Sequence, residues 1–209
     1  MDNVRSATPG QVRCSPSVPA HWPIRRHVAA AETTPAGPLH SVEVTVPAKT
    51  NLTLHVGPAH EEWGGRHALD TIYCAIGVND VVTATAKTPG SGFSLELSGE
   101  HLGDLASSGS DMRRNHAVLA LFAIARAAGR EPDVALHVDK HIPVGAGLGG
   151  GSADAAATLL AVNTLWGLHW PIERLRDIAA TLGADMPFCL EGGVCAWHRF
   201  RRADHPAGG

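Results

Sequence analysis

A glycine-rich segment followed at once by a helical pattern constrains this 209-residue chain more than any other feature. Glycine permits positive φ and lets a ligand approach the backbone, because it has no Cβ. The helix that follows offers unpaired N–H donors and the positive end of its dipole. These properties together predict a polyphosphate-binding loop. The segment runs Pro143, Val144, Gly145, Ala146, Gly147, Leu148, Gly149, Gly150, Gly151, Ser152, Ala153.

Two better-known nucleotide loops fit these glycines less well. Gly145, Gly147 and Gly150 satisfy the dinucleotide pattern G-x-G-x-x-G, but a second strand ending in Asp or Glu should then follow about twenty residues later. That interval instead holds Trp170, Pro171 and a second helical pattern. A Walker A loop needs Gly-Lys-Ser/Thr, and no lysine follows these glycines. A merely flexible loop is disfavoured by the strand pattern before it and the helix after it.

Composition describes an ordinary globular chain of one or two domains. Apolar residues make up 44% of it, and the formal net charge is −3. This charge balance gives no reason to expect nucleic acid or an anionic membrane as a partner. No apolar run approaches the length of a transmembrane helix, which is about 18 residues.

Cysteine and histidine positions argue against a metal centre. The four cysteines form no C-x-x-C pair, so the sequence predicts neither a zinc site nor a disulfide framework, and a reducing cytoplasm suits them. His137 and His141 are four residues apart, but the first lies in a strand pattern and the second in the turn after it. We therefore expect solvated or locally bonded histidines rather than metal ligands.

The chain divides into three parts by pattern. Residues 1–40 hold six of the fourteen prolines and show no hydrophobic periodicity, which predicts a disordered N-terminal extension. Residues 41–194 alternate strand and helix patterns and are predicted to form one folded domain. Residues 195–209 are basic and end in Gly and Pro, and we interpret them as an atypical tail of the kind that a frameshift produces.

Within the folded part, period-two and period-3.6 patterns place the elements. Strands are predicted at 42–46, 52–56, 72–88, 93–99 and 133–139, and helices at 115–128, 152–166 and 171–182. The strand pattern breaks at 47–51, so Lys49 is predicted to lie on a short kink. The strand that follows is expected to bury Leu52, Leu54 and Val56.

Three motifs together resemble the GHMP kinases, the superfamily of galacto-, homoserine, mevalonate and phosphomevalonate kinases. Residues 143–153 match that family's loop, Pro-x-x-x-Gly-Leu-Gly-(Gly/Ser)-(Gly/Ser)-Ser-Ala. Residues 47–52 match Pro-Ala-Lys-x-Asn-Leu, and residues 182–188 match Leu-Gly-x-Asp-x-Pro-Phe. The resemblance covers about residues 42–194 and stops at both ends.

The resemblance implies a role for each matched residue. Lys49 and Asp185 would be catalytic, acting from opposite sides of the acceptor hydroxyl, while Pro143 to Ala153 would hold the phosphates of ATP. The Ser152 hydroxyl would lie near Mg²⁺. Asn51 and His67 would bind the substrate. His67 belongs to a motif in which this chain has Arg66 where the family has a tyrosine that stacks on cytosine.

The implied fold is α+β, a GHMP kinase N-terminal domain (ribosomal protein S5 domain 2-like) without the family's C-terminal domain. Its sheet should be mainly antiparallel and backed by three helices. The implied reaction is ATP-dependent phosphorylation of a small cytidine-diphosphate alcohol with Mg²⁺. A carboxylate is a weak base for an alcohol, so either Lys49 lowers the alcohol's pKa or the proton moves late. The oligomeric state stays open.

Two alternatives to this function remain open. Another GHMP kinase, of the homoserine or phosphomevalonate type, is compatible with Arg66. A nucleotide-binding remnant without turnover is compatible with the loop alone.

Overall fold

A computed structural model describes residues 13–14, 24–27, 39–60, 66–100, 102 and 112–199 of the chain. For residues 13–14, 24–27, 59–60, 66–69 and 196–199 it describes the backbone alone. The strands are β1 (Arg13–Cys14), β2 (Ile24–His27), β3 (Ser41–His60), β4 (Arg66–Ala86), β5 (Ser94–Gly99), β6 (Val134–Lys140) and β7 (Val194–Arg199). The helices are α1 (His116–Ala128), α2 (Gly150–Leu165), α3 (Ile172–Leu182) and α4 (Met186–Glu191), with a 3-10 turn at Met112–Arg114.

The chain forms two compact units, and the two longest strands contribute to both. The larger unit contains residues 20–50 and 75–192, and the smaller contains residues 1–19, 51–74 and 193–209. None of the helices in the described part is long and apolar enough to cross a membrane.

In the larger unit the strand order is β2-β3-β4-β6-β5. Residues 24–27 pair antiparallel with 41–44, and residues 81–86 pair antiparallel with 134–139. β5 and β6 pair in parallel. The predicted α+β class with a mainly antiparallel sheet is thereby confirmed.

Alternation along these strands produces one buried face. Val42, Val44 and Val46 are completely buried, and in β6 every second residue from Val134 to Lys140 is buried. Because successive side chains of a strand point to opposite faces, this period of two turns one side of the sheet toward the helices. Lys140 ends that buried row, where an apolar residue would be expected.

The helices that cover the sheet begin and end at residues suited to those positions. Asn115 caps α1, its side-chain oxygen accepting a hydrogen bond from the backbone N–H of Ala117 at 2.9 Å. Gly129 ends the same helix with φ of 61°. Ten of the sixteen residues of α2 are buried, which is the pattern of a helix enclosed on most sides.

In the smaller unit, residues 69–74 of β4 pair antiparallel with residues 194–199 of β7, and β7 also pairs with β1. The expectation that Leu52, Leu54 and Val56 are buried is wrong, because their exposed fractions are 59%, 57% and 51%. Strands are the only elements described within this unit, so it contains no described helix that could bury these side chains.

Several local expectations also differ from the structure. β3 is one unbroken strand from Ser41 to His60, without the predicted break at 47–51. A proline is tolerated in a strand where its missing N–H is not needed, and β2 pairs with β3 only as far as Val44. α4 and β7 were not predicted, nor were β1 and β2 in the segment expected to be disordered. Cys195 is disulfide-bonded, contrary to the expectation for the cysteines.

Candidate active site

The glycine-rich loop lies in the larger unit, between the end of β6 and the start of α2. Gly145, Gly147 and Gly149 have φ of 78°, 75° and 71°, a conformation that residues with a Cβ rarely adopt. A Cβ added at Gly145 or Gly147 would meet nothing within 4 Å. The backbone at these two glycines is therefore open to a ligand.

A cavity of about 360 Å³ opens over this loop. Residues 143–152 line it, together with Arg114, Asn115, His116, Lys140, Ile142 and Asp154. The N-terminus of α2 starts inside this lining, so its first N–H groups and dipole face the same region. Ala153, the last residue of the predicted loop, is buried in α2.

Lys49 and Asp185, the two predicted catalytic residues, are in contact. Lys49 Nζ lies 3.2 Å from Asp185 Oδ2, with 8% of the lysine side chain and 29% of the aspartate side chain exposed. Asp185 occupies the N-cap position of α4, yet its side chain makes no capping hydrogen bond. Its carboxylate faces Lys49, which supports a role beyond helix capping.

The loop and the ion pair are joined at Lys49. The backbone N–H of Lys49 donates to the carbonyl oxygen of Leu148 at 2.9 Å. Gly149 packs on the lysine stem, where a Cβ would lie 2.9 Å from Lys49 Cε. The structure thus brings three separate sequence motifs to one place.

A second ionic group, which the sequence did not predict, lies beside the loop at the end of β6. Lys140 Nζ donates to Asp80 Oδ2 and, at 2.8 Å, to Asp154 Oδ2. Burial opposes the charged form of Lys140, but Asp154 and Asp80 outweigh it and raise the pKa of that amine. Burial raises the pKa of Asp154 to about 7, although Lys140 acts in the opposite direction. No local pattern reveals this group, because Asp80 is sixty residues from Lys140.

Two further basic residues line the cavity: His116 at the start of α1, and Arg114 in the 3-10 turn before it. His116 lies against the loop helix, and a Cβ at Gly151 would come 2.3 Å from its Nδ1. Burial, and secondarily the charge of Lys140, lower the pKa of His116. Arg114 lines the cavity from the 3-10 turn.

The predicted substrate residues belong to the smaller unit. Asn51 Nδ2 donates to Thr71 Oγ1 at 2.7 Å, and Thr71 in turn donates to the carbonyl oxygen of Thr53. Residue 67 lies in β4, but the His67 side chain, like Arg66 and Trp63, is outside the described part. The role assigned to His67 therefore stays a prediction.

Metal-binding groups are sparse in the part of the chain that the structure describes. No group of three or more His, Cys, Asp or Glu side chains there could hold a metal ion. His137 and His141 are locally bonded, through Ser98 at 3.0 Å and Asp139 at 3.1 Å. Ser152, the predicted Mg²⁺ contact, lies in the first turn of α2 and lines the cavity.

Residues 115–193 match the family described as GHMP kinases N terminal domain. This match includes the phosphate loop and the Asp185 motif, whereas the Lys49 motif lies before it. A relative from Bifidobacterium adolescentis, named 4-diphosphocytidyl-2-C-methyl-D-erythritol kinase, is 77% identical over 155 residues, which is 74% of this chain and 50% of the relative. The chain spans about half the length of the curated relatives it matches.

Solved structures agree with the fold. A crystal structure of 4-(cytidine 5'-diphospho)-2C-methyl-D-erythritol kinase is 36% identical, with a TM-score of 0.53 over 71% of this chain and 48% of that one. Homoserine kinase from Cytophaga hutchinsonii matches with a TM-score of 0.55 at 19% identity, covering 79% of this chain and 50% of that one. The second likeness shows the fold alone.

Proposed function

We propose that this chain binds ATP and supplies the phosphate loop, Lys49 and Asp185 of a small-molecule kinase. Its acceptor is the 2-hydroxyl of 4-diphosphocytidyl-2-C-methyl-D-erythritol, in the non-mevalonate route to isoprenoid precursors. The observation that carries the proposal is the 3.2 Å ion pair of Lys49 and Asp185. The name of the 77% identical Bifidobacterium relative supports the choice of acceptor.

The loop has the properties that a triphosphate requires. Its glycines leave the backbone open, and the start of α2 adds N–H donors and a positive dipole end. Phosphoryl transfer depends on charge neutralisation and in-line positioning more than on covalent catalysis. The chain would contribute positioning through the loop from Pro143 to Ala153.

Magnesium fits this site as an ion held mainly by the nucleotide. Mg²⁺ commonly keeps several waters and takes one or two protein ligands besides substrate phosphates. The Ser152 hydroxyl, which lies in the cavity lining, would be the protein ligand in this chain. When bound, the ion neutralises charge on the phosphates.

Lys49 and Asp185 would act on the acceptor. A hydroxyl placed between them can accept a hydrogen bond from the Lys49 ammonium and donate one to the Asp185 carboxylate. As the acceptor oxygen attacks the γ-phosphorus of ATP and ADP leaves, the proton of the hydroxyl would pass to Asp185, either early because Lys49 has acidified the alcohol or late in the transfer. Partial burial strengthens both interactions relative to water.

Asn51, which donates a hydrogen bond to Thr71, would bind the substrate, as the family resemblance implies. His67 would read the edge of the cytosine base. The likeness to homoserine kinase, at 19% identity, does not support homoserine as the acceptor.

The test separates four outcomes. Isothermal calorimetry first measures ATP binding to the purified chain in the presence of Mg²⁺. The chain is then incubated with ATP and, in parallel, the cytidine-diphosphate alcohol, homoserine or phosphomevalonate, and the phosphorylated product is quantified. Selective phosphorylation of the first acceptor supports the proposal, selectivity for another identifies a different GHMP kinase, and ATP binding without transfer indicates a nucleotide-binding remnant. Absence of ATP binding overturns the proposal.

A further inference from the structure

A buried ionic group connects the two ends of the phosphate loop. Lys140, the last residue of β6, directs its amine to Asp80 on β4 and to Asp154 in α2. No side chain of the three is more than 4% exposed. We name these three residues the Lys140 cluster.

Asp80 holds the start of the loop. Its Oδ1 accepts hydrogen bonds from the backbone N–H groups of His141, at 2.6 Å, and Ile142, at 2.8 Å. These are the two residues directly before Pro143. With Lys140 on its other oxygen, Asp80 is a well-satisfied buried carboxylate, and it fixes the backbone from which the loop departs.

Asp154 connects the far end of the loop to the same amine. It lies in the second turn of α2, and its Oδ2 accepts from Lys140 at 2.8 Å. Its Oδ1 is buried without a hydrogen-bond partner. The start of α2 also packs directly on the amine, because a Cβ at Gly150 would lie 3.1 Å from Lys140 Nζ.

Stabilisation of the fold is a poor explanation for this cluster. Removing three charged groups from water costs about as much as their pairing returns, and apolar groups of similar volume are often as good or better. The unpartnered Asp154 oxygen adds to the cost. The ionic arrangement provides directional hydrogen bonds that link β6 to β4 and to α2. Apolar side chains would not provide them.

We propose that Lys140 is a positioning residue of the phosphate loop. By bonding Asp80 and Asp154 at once, it holds the two ends of residues 143–149 at a fixed separation, so that the loop is formed before a nucleotide binds. Preformed N–H groups lose less freedom on binding and therefore bind more tightly. The inference rests on the proposed function in one respect, since it takes ATP as the ligand.

The test breaks the link at Asp154 and leaves a balanced Lys140–Asp80 pair. Asp154→Leu removes the hydrogen bond together with the unpartnered oxygen, so the midpoint of thermal unfolding should stay the same or rise. ATP should bind about tenfold more weakly, the loss of roughly one charged hydrogen bond. Asp154→Asn keeps an oxygen that can accept from Lys140, and it should recover most of the lost affinity.

A second readout needs no nucleotide. Backbone ¹⁵N relaxation of residues 144–149 measures nanosecond motion of the loop, and Asp154→Leu should increase that motion while α1 stays rigid. The control is Arg176→Met/Glu191→Leu, which removes a part-buried ion pair of 2.7 Å between α3 and α4. It should change neither the loop motion nor the ATP affinity.

Each outcome decides the inference. Wild-type loop motion and ATP affinity in a folded Asp154→Leu protein would overturn it. If the unmodified chain does not bind ATP, the proposed function fails, and the relaxation measurement alone decides whether Lys140 positions the loop. If Asp154→Leu does not fold, the charge-free variant Asp80→Asn/Lys140→Met/Asp154→Leu replaces it, and the same two readouts apply.

Discussion

Gly149 packs so closely against Lys49 that a Cβ at the glycine would lie 2.7 Å from Lys49 Cγ. Gly149 also begins α2, with φ of 71°. One glycine therefore serves both the shape of the phosphate loop and the placement of the lysine that faces Asp185. Any side chain at this position must disturb both.

The first prediction concerns that glycine. Gly149→Ala should weaken ATP binding by at least about tenfold, because left-handed backbone costs a non-glycine residue about 1–2 kcal/mol and the added methyl group forces the loop away from Lys49. Calorimetric titration with ATP measures the effect. Gly77→Ala is the control, since a Cβ there meets nothing within 4 Å and its φ is ordinary. Equal affinity of the two folded variants would contradict the contact.

The second prediction separates the acceptor side of the site from the nucleotide side. Lys49→Met or Asp185→Asn should lower turnover by about 10²–10⁴-fold, the usual contribution of a positioned proton-transfer group. ATP affinity should change by less than about threefold, because both residues are assigned to the acceptor. The measurement is kcat with the cytidine-diphosphate alcohol beside the ATP dissociation constant. A large loss of ATP affinity at unchanged kcat would assign these residues to the nucleotide instead.

The third prediction uses the lowered pKa of His116. Below its ordinary value of 6.5, the unfolded chain takes up a proton at this histidine more readily than the folded chain does. Its contribution to stability is therefore fully present above pH 6.5 and is lost as the pH falls through the lower, folded pKa. His116→Gln cannot titrate, so its thermal midpoint should fall less than that of the unmodified chain between pH 7 and pH 5. If the thermal midpoints of the two proteins fall equally across this pH range, His116 does not contribute to the pH dependence of stability.

The fourth prediction compares two leucines that look equally apolar in the sequence. Leu159 of α2 is completely buried, and Leu159→Ala should cost about 2–5 kcal/mol of unfolding free energy. Leu54 is 57% exposed, and Leu54→Ala should change stability by less than about 0.5 kcal/mol. Chemical denaturation of both variants provides the comparison. A large loss at Leu54 would mean that β3 is covered in solution.

Sequence patterns were sufficient to predict some features of the structure and insufficient for others. The glycine loop and α2 were predictable because their signals are local: positive φ needs glycine, and helix formers follow at once. Leu52 and Leu54 alternate like buried residues, yet burial depends on what packs against a strand, which a local pattern does not contain. α4 was not predicted because it has only six residues, too few to show a helical period, and one of them is a proline.

Contacts between distant residues were the hardest to anticipate. Lys140 occupies a buried position of β6 because Asp80 and Asp154 meet it there, and the three are separated by sixty and fourteen residues. Their pairing is a property of the tertiary structure. Lys49 and Asp185 are even further apart in the sequence, and only resemblance to a family indicated their pairing in advance.

The hydrogen bond from the Lys49 backbone to Leu148 has a practical consequence for mutagenesis. Peptide groups, not side chains, form it, so every amino acid except proline at position 49 can keep it. This one link between the loop and β3 thus does not depend on the side chain at residue 49. A substitution that also keeps the stem on which Gly149 packs, such as Lys49→Met, can therefore report on the amine itself.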